Sequence, residues 1–480
     1  MHSRCDRILD YFEQINAIPR CSKNEAALCR WLQEWAKARN LATSGDAAGN
    51  MVVRLPATRG YEKAPIVVLQ AHMDMVCEKT PDSLHDFARD PIRSIRQGDW
   101  LTADRTTLGA DNGIAIAYAL AVAEDETLQR PPLELLFTVD EETGLNGVKK
   151  MGPDLIRGRI LINLDSEDEG IFTIGCAGGM ETAVNLMLAT ALLPAGWRNY
   201  KLLVGGLTGG HSGIDIHKHR ANANKLLART LAALHQENEL RIITLTGGSR
   251  HNAIARDSEA RVATAADTAT IERTVAEMEA IVRKEYGDNE AGLFIKTSHD
   301  TPASTDGLTI EATERAIWLL LALPHGVAGM SPNLPGVVET SSNLATVSVK
   351  AGRLHILSSQ RSALSSRLTE ITATVRAVAE LSEAEAHEEN KYPPWTPEMR
   401  SPLLQTAKEV YARIFAKEPV IQVIHAGLEC AIIGALYPGM QMISLGPTIR
   451  SPHSPTERLY IPSVDQVWQL LVALLARLGP

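Results

Sequence analysis

Cysteine is scarce in this chain and follows no pattern. The 480 residues hold six, Cys5, Cys21, Cys29, Cys77, Cys176 and Cys430, and none forms a C-x-x-C pair. That usage argues against a disulfide framework and against a zinc–thiolate site, and it fits a reducing, cytoplasmic compartment. Long apolar runs are missing too. No stretch approaches about 18 uninterrupted apolar residues, so no membrane span is expected. The opening MHSRCDRILDYFEQ has no apolar leader core and carries early acids, so no signal peptide is expected there. Positive charge is in deficit: 48 basic against 57 acidic residues leave a net charge of −9. No basic stripe or Arg-rich run is present, which argues against a nucleic-acid role. No internal repeat or low-complexity segment is evident.

What is there is ordinary for a globular protein, with 45% hydrophobic and 22% charged residues. At 480 residues the chain is too long for one core, so two or more domains are expected. Ile8, Leu9, Phe12 and Ile15 mark an amphipathic first helix, and Asn24 is expected to cap a second bearing Leu28, Trp31, Leu32 and Trp35. Strands near 51–55, 65–71, 133–139 and 159–165 alternate with helices, which predicts an α/β sheet with a mostly parallel order. After Gly175-Cys176-Ala177-Gly178-Gly179 the pattern changes to strand-like runs mixed with long helical ones, the mark of a two-layer α+β block. Tyr392-Pro393-Pro394-Trp395-Thr396-Pro397 reads as a linker, after which the α/β rhythm resumes. The expected architecture is therefore a first part at 1–180, an inserted domain at 181–392, and a second part of the first domain at 393–480.

Five short islands carry the chemistry. Apolar runs lead into His72-Met73-Asp74, into Glu141-Glu142, into Asp165, and, after a short loop, into His453. Leu108-Gly109-Ala110-Asp111-Asn112-Gly113 opens a helix. Strands that deliver His, Asp and Glu at their ends gather metal ligands from distant sequence. Imidazole and carboxylate without thiolate suits zinc, manganese or cobalt. Five candidate ligands (His72, Asp111, Glu142, Asp165, His453) exceed what one catalytic zinc needs, and fit two metals ~3.5–4 Å apart sharing a carboxylate. Asp111 is the best bridge, because its Gly-flanked turn lets the backbone come close. Asp74, two residues past His72 on a strand end, would orient the imidazole from behind. Glu141 and Glu142 point in opposite directions, so one would ligate while the other takes the proton of a metal-activated water.

Each island alone has an ordinary alternative. H-x-D recurs by chance, paired glutamates are usually a solvated loop, and a histidine in a Pro-rich loop is usually a surface group. The joint order in strand contexts is what makes the metal reading.

LQAHMDMV, TTLGADNGIAIA, FTVDEETGLNG, INLDSEDEG, GCAGG, GGHSG, HAGLEC and GPTIRSPHSP together resemble the dinuclear-zinc peptidase family that includes carnosinases, and within it the bacterial aminoacyl-histidine (Xaa-His) dipeptidase branch. The resemblance covers essentially the whole chain. It implies an α/β/α sandwich catalytic domain and an inserted lid and dimerisation domain. It implies two Zn2+ per subunit, with Mn2+ or Co2+ as alternatives. One zinc would be held by His72 and Asp165, the other by Glu142 and His453, with Asp111 bridging. It makes Glu141 the general base, Asp74 the residue orienting His72, and the Asp111–Asn112 peptide cis. His211 matches a lid histidine that polarises the scissile carbonyl, supplied by the partner subunit in dimeric relatives. Asn252 and Arg361 match lid residues that meet substrate, an Arg suiting a C-terminal carboxylate. His425 and Glu429 lie in a loop resembling the substrate-end pocket. The sequence departs from the pattern at Arg105, where a small residue, often Gly, is expected, and at Lys218-His219, which interrupts a Gly-containing run.

The function implied is cytosolic hydrolysis of Xaa-His dipeptides, L-carnosine among the candidates, by a homodimer with no nucleic-acid or membrane partner. A broader di- or tripeptidase, or an N-acyl amino acid deacylase, would keep the same site. A catalytically dead binding protein on this scaffold would be expected to have lost a ligand or the base, and all seven positions are present.

Overall fold

The computed structural model describes residues 4–300 and 305–479. Residues 1–3, part of the segment examined for a leader, lie outside it. The chain divides into two compact units, residues 1–175, 395–423 and 428–480 in one, and 176–394 with 424–427 in the other. The expected divisions at 180/181 and 392/393 stand a few residues from these, and the short return of 424–427 had no counterpart in the sequence reading.

The first unit is built on an eight-stranded sheet among the described residues. Its centre is four parallel strands, in the order Leu133–Thr138, Val67–His72, Ile160–Asn163 and Gln441–Ser444. Antiparallel strands flank them: Met51–Leu55 and Ala42–Gly45 on one side, and Ile171–Cys176, antiparallel to Gln441–Ser444, on the other. The sheet is therefore mixed, parallel where the site residues originate. Two of the central strands are buried at every position, which is why they read as continuous apolar runs rather than alternating ones. Ala110–Glu124, packed on Val67–His72, is buried nearly all round, so its sequence IAIAYALAVA has no polar face.

Helices Arg4–Asn16 and Ala26–Ala38 form where expected. Asn24 does not cap the second: the N-cap is Glu25, whose carboxylate accepts the amides of Lys23 and Asp140 instead.

Among the described residues, the second unit is built on a nine-stranded antiparallel sheet carrying the helices Ala223–Glu237, Thr268–Tyr286, Ile310–Ala322 and Ser365–Leu381. These pack into one apolar core. Strands such as Ser258–Thr264, with burial alternating along part of their length, show that one face is covered. In GCAGG, a Cβ on Gly179 would sit 2.4 Å from the Tyr392 ring, so only glycine lets these strands approach.

One expectation fails in part. Cys21 and Cys77 are joined in a disulfide, with Cα atoms 5.7 Å apart. Fifty-six residues separate them in sequence, so no local spacing announces the pair. It is the one bridge among the described residues.

Candidate functional site

All four parallel strands release the chain at one edge of the sheet, and the predicted ligands are there. This is where open α/β sheets bind ligands. His72 ends its strand; Glu141 and Glu142 follow Thr138, and Asp165 follows Asn163 by two residues. Asp111 opens the buried helix, with its peptide to Asn112 in the cis form. His453 comes from the loop beyond Gln441–Ser444 and holds a left-handed φ of 58°.

Asp111 stands between two imidazoles. Its Oδ1 lies 3.0 Å from His72 Nε2 and its Oδ2 3.0 Å from His453 Nε2. His72 Nε2 also faces Asp165 Oδ1 at 3.4 Å, and His453 Nε2 faces Glu142 Oε2 at 3.0 Å. Two triads result, His72–Asp111–Asp165 and Asp111–Glu142–His453, and a third grouping joins His72, Glu141 and Glu142. The Oε1 of Glu142 is buried with no partner among the described residues.

The electrostatics call for positive charge. Against burial, the carboxylates of Asp111 and Glu142 push the His453 imidazole up to about 11. Against burial, Asp165, Asp111 and Asp74 likewise raise His72. Burial and then Asp111 raise the Glu142 carboxyl to about 6. Burial, and the negative charges of Glu142, Asp165 and Glu429, raise Glu141 despite His72 nearby. Converging carboxylates, imidazoles aimed at a shared oxygen pair and an unpartnered buried oxygen fit two divalent cations sharing Asp111.

Asp74 is buried and does more than face His72 Nδ1 at 3.4 Å. Its oxygens accept the amides of Glu141 at 3.0 Å and Glu142 at 3.2 Å and the Ser22 hydroxyl at 2.8 Å. Despite burial, His72, the Glu141 amide and Ser22 hold its carboxyl down at about 2.

Glu429 is placed differently from a surface substrate contact. It is 0% exposed, and its Oε2 accepts from Gln70 Nε2 at 2.5 Å and Thr138 Oγ1 at 2.7 Å, while Oε1 has no partner among the described residues. Gln70 in turn accepts from Asn163 at 2.5 Å. Burial, opposed by His72 and Thr138, pushes the Glu429 carboxyl up to about 8. Gln70 and Thr138 were not foreseen; polar residues inside otherwise apolar strands are the signal that marks them. Nor were Arg20 and Glu457, two buried charges that both bond the backbone of Gly109.

In the second unit, His211, Arg361 and His425 share one electrostatic neighbourhood. The amides of Gly213 and Ile214 both donate to His211 Nδ1 at 3.1 Å. The proton of the neutral ring is thereby assigned to Nε2. Burial, with the Arg361 charge, lowers this imidazole to about 4, so it is neutral at pH 7. Arg361 donates to Tyr392 Oη at 2.8 Å, and its Nε has no partner among the described residues. His425 bonds Ser341 Oγ at 2.7 Å, and burial and then Arg361 depress it to about 3. The backbone carbonyl of Asn252 accepts from Ser212. A Cβ on Gly213 would lie 2.0 Å from the His425 carbonyl, which accounts for glycine after His211-Ser212.

The two departures from the family pattern also have a backbone reading. Arg105 and His219 hold left-handed φ values of 59° and 52°, the conformation a glycine would adopt without penalty. Arg105 is exposed and pairs with Asp82 and Asp104 at 3.3 Å.

A family model described as peptidase family M20/M25/M40 matches residues 68–477. The chain belongs to that family. It is a metal-dependent dipeptidase. The cytosol non-specific dipeptidase of Escherichia coli is 41% identical over 470 residues, covering 97% of this chain and 96% of that one. The crystal structure of aminoacylhistidine dipeptidase from Vibrio alginolyticus superposes with a TM-score of 0.89 at 38% identity, covering 100% and 99% of the two chains. A Staphylococcus aureus tripeptidase, at 17% identity and a TM-score of 0.56, shares the fold. No described helix is long and apolar enough to cross a membrane.

Proposed function

We propose that this M20-family dipeptidase hydrolyses Xaa-His dipeptides in the cytosol, with two zinc ions per subunit. The observation that carries the reading is Asp111 within 3.0 Å of both His72 and His453, with Glu141 beside them. In this reading His72 and Asp165 would hold one ion, Glu142 and His453 would hold the other, and Asp111 would serve both. The metals, when bound, supply Lewis acidity to the scissile carbonyl and lower the pKa of the attacking water. Asp74 orients His72 and the Glu141-Glu142 backbone.

Glu141 takes a proton from the water as its oxygen bonds to the carbonyl carbon, then gives that proton to the amine nitrogen as the C–N bond breaks. The products are two free amino acids, the first carrying the new carboxyl group and the second the freed amine. His211 donates its Nε2 proton as a hydrogen bond to the oxygen where negative charge develops. Arg361, with Asn252 and His425, receives the C-terminal part of the dipeptide. Glu429 supports the strand ends through Gln70 and Thr138. Residues 176–394 act as the lid, and two copies pair through it.

The preference for a C-terminal histidine draws support from the Vibrio alginolyticus relative's name. The name of the Escherichia coli relative, a non-specific dipeptidase, favours the second reading, a broader dipeptidase with the same site. Rates on Xaa-His, Xaa-Leu and tripeptide series with zinc, manganese or cobalt decide between them. A selective kcat/KM for Xaa-His supports the first reading, and equal values for Xaa-Leu sink it.

A further inference from the structure

The segment that leads into the buried helix is not itself helical: within Ala110–Glu124, Asp111 and Asn112 hold φ/ψ of −82°/102° and −119°/25°. Gly109, at a left-handed φ of 71°, has no side chain to accept the amides of this segment. Buried backbone N–H groups outside a helix or sheet need partners from elsewhere. Here they are taken by one residue from the far end of the chain. Glu457 Oε2 accepts from Leu108 N at 2.7 Å and Gly109 N at 3.0 Å, and Oε1 from Ala110 N at 2.7 Å and Asp111 N at 3.3 Å. Four consecutive amides converge on a side chain that is 2% exposed.

The opposite side of the same loop is gripped by Arg20, 1% exposed. Its guanidinium donates to Gly109 O at 2.6 Å, to the carbonyls of Met73 and Asp74 at 3.2 and 3.1 Å, and to Asn16 Oδ1 at 3.2 Å. Asn16 in turn donates to Leu108 O at 3.0 Å. The guanidinium lies so close that a Cβ on either Gly109 or Gly113 would sit 2.5 Å from Arg20 Nη2. The glycines of LGADNG are therefore the room Arg20 needs. Gly109 is held by its carbonyl on one side and its amide on the other, and Asp111 follows two residues later.

We propose that Glu457 is a positioning residue for the metal site, setting Asp111 between His72 and His453 with Arg20 as the opposing jaw. Glu457 lies four residues after His453 in the same loop, so one segment delivers a ligand and orients the shared carboxylate. The inference rests on the reading of Asp111 as a metal ligand.

The experiment compares metal affinity, by competition with a chromophoric chelator, for the full chain, Glu457→Gln and Glu134→Gln, alongside the unfolding midpoint of each metal-free protein. Glu134 is a matched control: also buried, it accepts the amides of Arg157 and Gly158 away from the ligands. A glutamine at 457 turns an NH2 toward two of the four amides. Metal affinity is expected to fall about 10–100-fold in Glu457→Gln, the range for partners that orient ligands, and to stay at the parent value in Glu134→Gln. Unchanged affinity in Glu457→Gln overturns the proposal, as does an equal loss in Glu134→Gln, which would mark general destabilisation. Should Glu457→Gln not fold, Glu457→Asp, too short to reach both amide pairs, is read the same way. A parent chain that binds no metal overturns the functional reading along with this one, whereas a parent that binds two with an unaffected variant overturns this one alone.

Discussion

The backbone N–H of Glu141 donates to Oδ1 of Asp74 at 3.0 Å. The same carboxylate faces His72 and accepts from Glu142, so a single buried acid ties the ligand strand to the turn that carries both glutamates. Asp74 thus has two duties, of which only the one toward His72 is suggested by the H-x-D spacing. Asp74→Asn keeps the volume but has one acceptor oxygen in place of two. Activity is expected to fall about 10–100-fold, and the metal-free protein to lose about 1–3 kcal/mol of stability from the amide left without an acceptor. Measuring kcat/KM at saturating metal alongside denaturant unfolding checks both; unaltered kinetics would show that His72 and the glutamates hold their places without it.

Glu141 and Glu142 are neighbours with different surroundings. Glu142 Oε2 faces His453, whereas Glu141 groups with His72 and Glu142. Glu141→Gln is expected to lower kcat about 10²–10⁴-fold, the usual worth of a general base, with both metals still bound. His453→Ala is expected to lose one metal. Metal content by plasma emission spectroscopy, read beside turnover, separates the two. A Glu141→Gln protein with near-parental kcat would sink the assigned base, and a His453→Ala protein with two tightly held metals would sink that ligand.

The parts visible in the sequence were those with short-range signatures. The runs before His72, Glu141 and Asp165 are apolar without alternation because those strands are covered on both faces, and the helix after Asp111 is apolar all round for the same reason. The contacts that orient these groups are not local. Glu457 meets Leu108 across 349 positions and Glu429 meets Gln70 across 359; neither periodicity nor spacing carries such a pairing. The antiparallel flanks of the sheet and the Cys21–Cys77 bridge belong with them, since each depends on where distant segments come to rest. Glu25 defeats the cap rule at Asn24 for a related reason, its carboxylate being drawn to the amide of Asp140.

His211 presents a neutral imidazole with its proton assigned to Nε2, the form that donates to a developing oxyanion. If paired copies share their lids, each His211 serves the partner's site. Mixing inactive His211→Ala with inactive Glu141→Ala protein is then expected to restore activity, because a mixed dimer holds one site with both residues intact. Restored turnover after subunit exchange supports the shared site; mixtures that stay inactive despite demonstrated exchange argue that each chain completes its own.

His211 and His425 are both buried and held neutral, lowered to about 4 and about 3. An unfolded histidine titrates near ~6.5. Between that pH and the folded values the unfolded chain binds protons that the folded chain refuses, so stability rises with pH through this window and is lost as the solution is acidified. Each such group contributes a slope of up to about 1.4 kcal/mol per pH unit. In the chelator-treated protein the raised carboxyls of Glu142 and Glu429 act with the opposite sign over the same range, binding protons in the folded chain, so the histidine contribution is read as the difference in unfolding midpoint between parent and variant from pH 8 down to pH 4. His425→Gln, which can still bond Ser341, is expected to gain midpoint relative to the parent as the pH falls from about 6.5 to 4. A variant whose midpoints decline as steeply as the parent's would show that His425 takes up its proton without opening the fold.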